Sequence, residues 1–125
     1  MTNQEIVIQL NKLHEMSERE KEEKISKLSI LVGYAVRKNM NILEQPYKIY
    51  LESLKALQKK YLDEKEEELQ FKSDDERKEY NEKLNELLNI DNPDVAIHKV
   101  PLEELKKCSR LSMKDQDALF FMIED

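Results

Sequence analysis

Between Val36 and Tyr61 the apolar residues keep a spacing that few folds can accommodate. Val36, Met40, Leu43, Tyr47, Tyr50, Leu54, Leu57 and Tyr61 recur at alternating intervals of four and three. This is the heptad seam of one long helix that offers an apolar stripe to a partner. A stripe of this length does not stay in water, so other segments of the chain, or a second copy of it, must cover it. The pattern extends back through Ile25, Leu28, Leu31, Val32 and Ala35, where it is apolar on several sides and predicts the core. A central helix over residues 25–62 is therefore expected. Gly33 and Pro46 resist it, costing about 1 and about 3 kcal/mol in a helix interior. Because the seam crosses Pro46 without losing phase, a kink within one helix fits better than a loop between two.

Composition points the same way for the rest of the chain. Its 125 residues include one Gly, three Pro and no Trp, with 38% charged. Few breakers and abundant Glu, Lys and Leu favour helix over a sandwich, a barrel or a glycine-rich nucleotide-binding fold. The length suits a single domain, residues 1–125. Thr2 followed by Glu5 reads as a capping box opening an N-terminal helix over residues 1–16, with Ile6, Leu10 and Leu13 on its apolar face. Extending that face lands on Ser17, Glu20 and Lys24, so residues 17–24 are either a solvated helical bridge or the turn between two helices, and a turn or break is the expectation.

Beyond the central helix the run Asp63-Glu64-Lys65-Glu66-Glu67-Glu68 predicts a fraying helix end. Leu69-Gln70-Phe71-Lys72 alternates like a short strand, and Ser73 or Asp74 can cap a helix carrying Tyr80, Leu84, Leu87 and Leu88. Asp91-Asn92-Pro93-Asp94 is turn chemistry. Val95-Ala96-Ile97-His98-Lys99-Val100 is the best strand candidate, and residues 69–72 are its expected partner, giving a strand–helix–strand unit over 69–100. Residues 101–125 are expected to form C-terminal helices: a short one over 102–107, then one opened by Ser112 that runs to the end with Met113, Leu119, Phe120, Met122 and Ile123. Phe120, Phe121 and Met122 cannot share one helical face, so part of this segment is either fully enclosed or a partner surface. The expected fold is mostly α: a long central helix in an antiparallel hairpin or bundle, a small two-stranded β-ribbon and a docked C-terminal helix.

Net charge is −6 and unevenly placed. Residues 1–62 carry 11 basic and 8 acidic groups, residues 63–86 carry 5 and 11, and residues 87–125 carry 5 and 8. No segment is basic enough for phosphate neutralisation, so direct binding of duplex nucleic acid is not expected. The single Cys108 suits a reducing compartment. Neither a membrane-span-length apolar run nor a signal-peptide h-region is present, which leads to the expectation of a soluble, intracellular protein.

Candidate chemistry is sparse. His14 and His98 have no ligand neighbours at metal spacing, Cys108 has no positioned base beside it, and no phosphate-binding loop or nucleophile elbow occurs. No catalytic residue, metal or cofactor is assigned, and an enzyme is not expected. The acidic stretch offers a candidate partner-binding set, Asp74, Asp75, Glu76, Glu79, Tyr80, Glu82 and Glu86, against the plainer role of a solvated face. The seam from Val36 to Tyr61 is the candidate self-association surface of a homodimer or higher oligomer. Tyr34, Arg37 and Lys38 form a candidate anionic-ligand pocket between chains.

Several stretches carry a resemblance. These are Ala35-Val36-Arg37-Lys38-Asn39-Met40 with Leu43; Tyr47 to Tyr61; Tyr80-Asn81-Glu82-Lys83-Leu84-Asn85-Glu86-Leu87-Leu88; Val95-Ala96-Ile97-His98-Lys99-Val100-Pro101-Leu102-Glu103-Glu104-Leu105; and Leu119-Phe120-Phe121-Met122-Ile123-Glu124. Together, in this order, they resemble a family of small proteins of unknown function from tailed phages and prophages of Gram-positive bacteria. The chain departs from that family in its longer, more charged segment at 17–24, and in Ser29, where a proline often precedes the central helix. The resemblance implies a phage setting in the cytoplasm of a bacterial host and supplies no catalytic residues. With the seam and the acidic surface it leads to the expectation of a non-enzymatic accessory protein that binds a host or phage protein. Inhibition or modification of a host protein, such as an antiviral defence nuclease, is the most concrete version. A virion or tail assembly component or chaperone is the alternative, and an oligomeric sponge for a nucleotide signal the third.

Overall fold

A computed structural model describes residues 1–65, 68–71 and 74–124. The chain is mostly helical and is built on two long helices packed against each other, α1 (Asn3–Glu23) and α2 (Ile30–Tyr61). A hairpin, β1 (Leu62–Lys65) and β2 (Glu68–Phe71), leads into α3 (Asp74–Leu88). The C-terminal part holds β3 (Val100–Pro101), α4 (Leu102–Leu105), α5 (Met113–Leu119), a 3-10 turn (Phe120–Met122) and β4 (Ile123–Glu124).

Helix α1 begins as its sequence dictates. The Thr2 hydroxyl accepts from the Glu5 N–H at 3.2 Å, and the Glu5 carboxylate accepts from the Thr2 N–H at 3.1 Å. Ile6, Leu10, Leu13 and Met16 are fully buried. The helix does not break at residues 17–24 as the polar run suggested; it continues to Glu23 and ends at Lys24, whose φ of 56° is the left-handed C-terminal cap. The reason is electrostatic. Past Met16 the inward face makes ion pairs instead of apolar contacts: Arg19 reaches Asp115 at 2.8 Å, and Glu23 meets Lys27 at 2.8 Å.

Helix α2 starts later than expected, at Ile30 rather than near Ile25. The Ser29 hydroxyl accepts from the Val32 N–H at 3.3 Å, satisfying a donor that the first turn leaves free. Residues 25–29 instead connect the helices and carry Lys27 into the interior. From Ile30 the helix runs unbroken through Pro46 to Tyr61. Its inner face joins α1 in one core: Val32, Ala35, Val36 and Leu43 pack with Ile6, Leu10, Leu13 and Met16, and with Ala118, Leu119 and Met122 from the C-terminal segment.

Much of the seam offered as a self-association surface is covered within the chain itself. Val36, Leu43, Tyr50 and Tyr61 are buried, and Met40, Tyr47, Leu54 and Leu57 are half-buried. Both α1 and α3 pack on α2. At the far end the rings of Tyr61 and Tyr80 meet edge to face at 6.2 Å, while Tyr47 and Tyr50 lie 6.4 Å apart. Burial pushes the Tyr50 hydroxyl pKa up, with Tyr80 and Tyr47 adding to it.

The strands pair differently from expectation. Glu68–Phe71 pairs antiparallel with Leu62–Lys65, in the register Leu62↔Phe71 to Lys65↔Glu68, and not with residues 95–100. Closing a ribbon across two residues of sequence costs far less chain entropy than closing it across a whole helix. The acidic run after Tyr61 is thus strand at Asp63–Lys65 and not helix; Glu66, Glu67, Lys72 and the alternative cap Ser73 lie outside the described residues. Of the strand expected at 95–100 only Val100 remains in β3, which pairs parallel with β4 through Val100↔Ile123 and Pro101↔Glu124. The last helix therefore stops short of the terminus. It tightens into the 3-10 turn at Phe120 and finishes extended, so that Met122 is buried, Phe121 half-buried and Phe120 76% exposed.

Candidate functional site

Helix α3 sorts its residues cleanly. Tyr80, Leu84, Leu87 and Leu88 are buried or half-buried and lie on one side. Asp75, Glu79, Glu82 and Glu86, at spacings of four, three and four, occupy the opposite side and are exposed. Asp74 is exposed at the first position. Two members of the expected set fall elsewhere: Tyr80 is 8% exposed, and Glu76 is half-buried. Both lie toward the packed face, because positions 76, 80, 84 and 87 follow the helical repeat of the apolar stripe. Of the candidate set, Asp74, Asp75, Glu79, Glu82 and Glu86 are exposed.

Local energetics account for part of this acidity only. Asp74, Asp75 and Glu76 occupy the first turn, where the helix dipole favours negative charge. Glu82 and Glu86 lie toward the C-terminal end, where it opposes them, and the last turn holds no basic residue. Lys83 approaches Glu86 at 3.7 Å in an exposed pair that contributes little.

The three residues of the expected anionic pocket do not converge. Tyr34 is 52% exposed and packs edge-on to the His98 ring at 5.6 Å, with the Lys38 ammonium 5.8 Å from its centroid. Arg37 turns toward α1 and lines a shallow depression with His14, Ser17, Glu20 and Lys24. Glu18 and Glu20 among its walls work against an anion. His14 is exposed and His98 half-buried. Cys108 is half-buried and structural: its sulfur accepts from the Ser29 N–H at 3.3 Å, tying the start of α2 to the segment after α4. Among the described residues no group of His, Cys, Asp and Glu is arranged to hold a metal ion.

The strongest electrostatic arrangement was not anticipated. Asp115 is 2% exposed and receives three partners: Arg19 Nη2 at 2.8 Å, the Ser112 N–H at 3.0 Å and Lys27 Nζ at 3.4 Å. Burial alone would push its carboxyl up; Arg19, the Ser112 amide and hydroxyl, and Lys27 outweigh that and hold it at about 2. Lys27 is raised by Glu23, against its burial, and raised again by Asp115. The only hint in sequence was Ser112 followed by Asp115, a capping box whose carboxylate also serves as the anchor for two cations. This cluster joins α1, the 24–29 connection and α5; both Asp115 oxygens are partnered, while Arg19 Nε is buried without a partner. Its role is structural.

A groove of about 440 Å³ lies between α2 and the segment after α3, lined by Ile42, Gln45, Pro46, Ile49, Asp94 and Val95 among others. Ile30, Leu31, Tyr34 and Ile49 are large apolar residues of α2 left more than half exposed. No helix among the described residues is long and apolar enough to cross a membrane. Comparison of the chain with protein-family models, with curated proteins and with solved structures finds no match.

Proposed function

We propose that this chain is a non-enzymatic accessory protein of a tailed phage or prophage that acts by binding another protein in the cytoplasm of its bacterial host. Its binding surface is the acidic side of α3, and its most concrete role is to inhibit or modify a host protein such as an antiviral defence nuclease. One observation carries the surface: Asp75, Glu79, Glu82 and Glu86 form a continuous exposed stripe that neither packing nor the helix dipole requires along its whole length. A stripe of this kind suits a basic groove on a partner, where charge complementarity speeds encounter and sets register. The phage setting rests on the sequence resemblance alone. Within one chain Lys38 lies over Tyr34 while Arg37 lines a depression beside α1, which gives the nucleotide-sponge reading less support than the protein-binding one.

Capture from host lysate tests the reading. The wild-type chain is expected to recover one stoichiometric host protein, and Glu79→Lys with Glu82→Lys and Glu86→Lys to lose it. Recovery of phage proteins alone would sink the host-directed version. Presence of the chain in purified virions would favour assembly.

A further inference from the structure

The outer side of α2 carries a second stripe, distinct from the seam. Leu31, Tyr34, Lys38, Ile42, Gln45 and Ile49 follow at intervals of three and four, which holds them to one face of a straight helix for about 27 Å. This face is turned away from the one that buries Val36, Leu43 and Tyr50. Leu31 is 53% exposed, Tyr34 52% and Ile49 56%, a concentration of apolar surface that the fold leaves uncovered. The two halves of the stripe differ in charge. The N-terminal half presents Leu31 and Tyr34 beside the Lys38 ammonium. The C-terminal half, with Ile42 and Ile49, forms one wall of the groove whose opposite lip carries Asp94. Asp91, also on that lip, is paired with the Met1 ammonium at 3.2 Å.

We propose that a second copy of the chain covers this stripe, with the two α2 helices antiparallel across a twofold axis. Antiparallel packing sets the complementary halves together. Leu31 of one copy meets Ile49 of the other, Tyr34 meets the Gln45–Pro46 edge of the groove, and Lys38 enters beside Ile42 within reach of Asp94. A parallel arrangement would instead set Lys38 against Lys38 and Asp94 against Asp94, so charge selects the antiparallel pair. The interface is isologous: each contact occurs twice, and the assembly closes as a dimer. It leaves the acidic side of α3 free, so it stands independently of the partner-binding reading.

Sedimentation velocity over a dilution series is the test, with circular dichroism to establish that each variant folds. The wild-type chain is expected to pass from dimer to monomer on dilution. Ile49→Glu and Lys38→Asp are each expected to raise the dissociation constant at least roughly tenfold, and Asp94→Lys added to Lys38→Asp to restore it. In a Cys108→Ser chain, Leu31→Cys with Ile49→Cys is expected to oxidise to a covalent dimer, because the two positions lie too far apart on one helix to bridge within a chain. A monomer at every concentration overturns the proposal, as does a dimer indifferent to Ile49→Glu. Failure of the charge exchange to restore association, or of the cysteine pair to cross-link, overturns it equally, by contradicting the antiparallel register.

Discussion

The side-chain amide of Asn39 holds the main chain of His98 by both its polar groups: it accepts from the His98 N–H at 2.8 Å and donates to the His98 carbonyl at 2.9 Å. A fully buried amide on α2 thus does for residues 95–99 what a neighbouring strand would have done. Residues 95–99 can lie extended on the helix without a sheet because this one pair of bonds satisfies them at their centre. Asn39→Leu removes both bonds and strands two backbone groups. It is expected to lower stability by about 3 kcal/mol, read as a lower urea midpoint with an unchanged slope, and to expose the His98 amide to hydrogen exchange.

The Asp115 cluster contributes to the acid limb of stability. Its folded-state value of about 2 lies below the ordinary 3.8, so the contribution is fully present above about pH 4 and is lost as pH falls toward 2. The shift corresponds to about 2 kcal/mol. Asp115→Asn should remove that part of the acid dependence and, at neutral pH, leave Lys27 and Arg19 without their shared anion. Urea unfolding of both proteins from neutral pH to pH 2 measures the difference, and parallel curves would contradict the assignment.

Gly33 has no conformational need to be glycine. Its φ is negative, and a Cβ added there would meet only Arg37 Nη2 at 3.8 Å and Leu28 Cβ at 3.9 Å, ordinary contacts. Gly33→Ala is expected to raise stability by about 0.5–1 kcal/mol through helix propensity and a less disordered unfolded chain. Thermal denaturation checks it, and a lower melting temperature would show that the glycine has a role not visible in its surroundings.

Ser29 ends the connection that the sequence reading placed inside the central helix. Ser29→Ala removes the hydroxyl that accepts from Val32 and is expected to cost about 1 kcal/mol. Amide exchange should quicken first at Val32 and Gly33, in the opening turn of α2.

How far the sequence led depends on what kind of contact decided each element. The Thr2–Glu5 and Ser112 caps, the seam and the apolar stripe of α3 were legible because they are local patterns with a fixed period. Residues 17–24 were misread because Arg19 and Glu23 continue the inward face of α1 with charge, and their partners Asp115 and Lys27 lie far off or across a turn. The strand at 95–100 was misread for a similar reason. Its main-chain partner is a side chain, Asn39, which no β-pattern announces. On the candidate site, the carboxylates of α3 were visible from composition, while the inward placement of Tyr80 and Glu76 required the helix to be phased on Leu84 and Leu87. The second stripe of α2 was hidden by the seam, which accounted for the same helix from its other side.

Reversal of charge at Glu79, Glu82 and Glu86 separates binding from folding. These side chains are exposed, so the triple lysine variant is expected to change stability by no more than about 1 kcal/mol. The most direct test of the binding account measures affinity of wild type and this variant for the protein captured from host lysate, across a range of salt concentrations. The account predicts wild-type binding that weakens as salt rises and a triple variant whose affinity falls at least roughly tenfold. A variant that binds as tightly as wild type, with the same salt dependence, would contradict it.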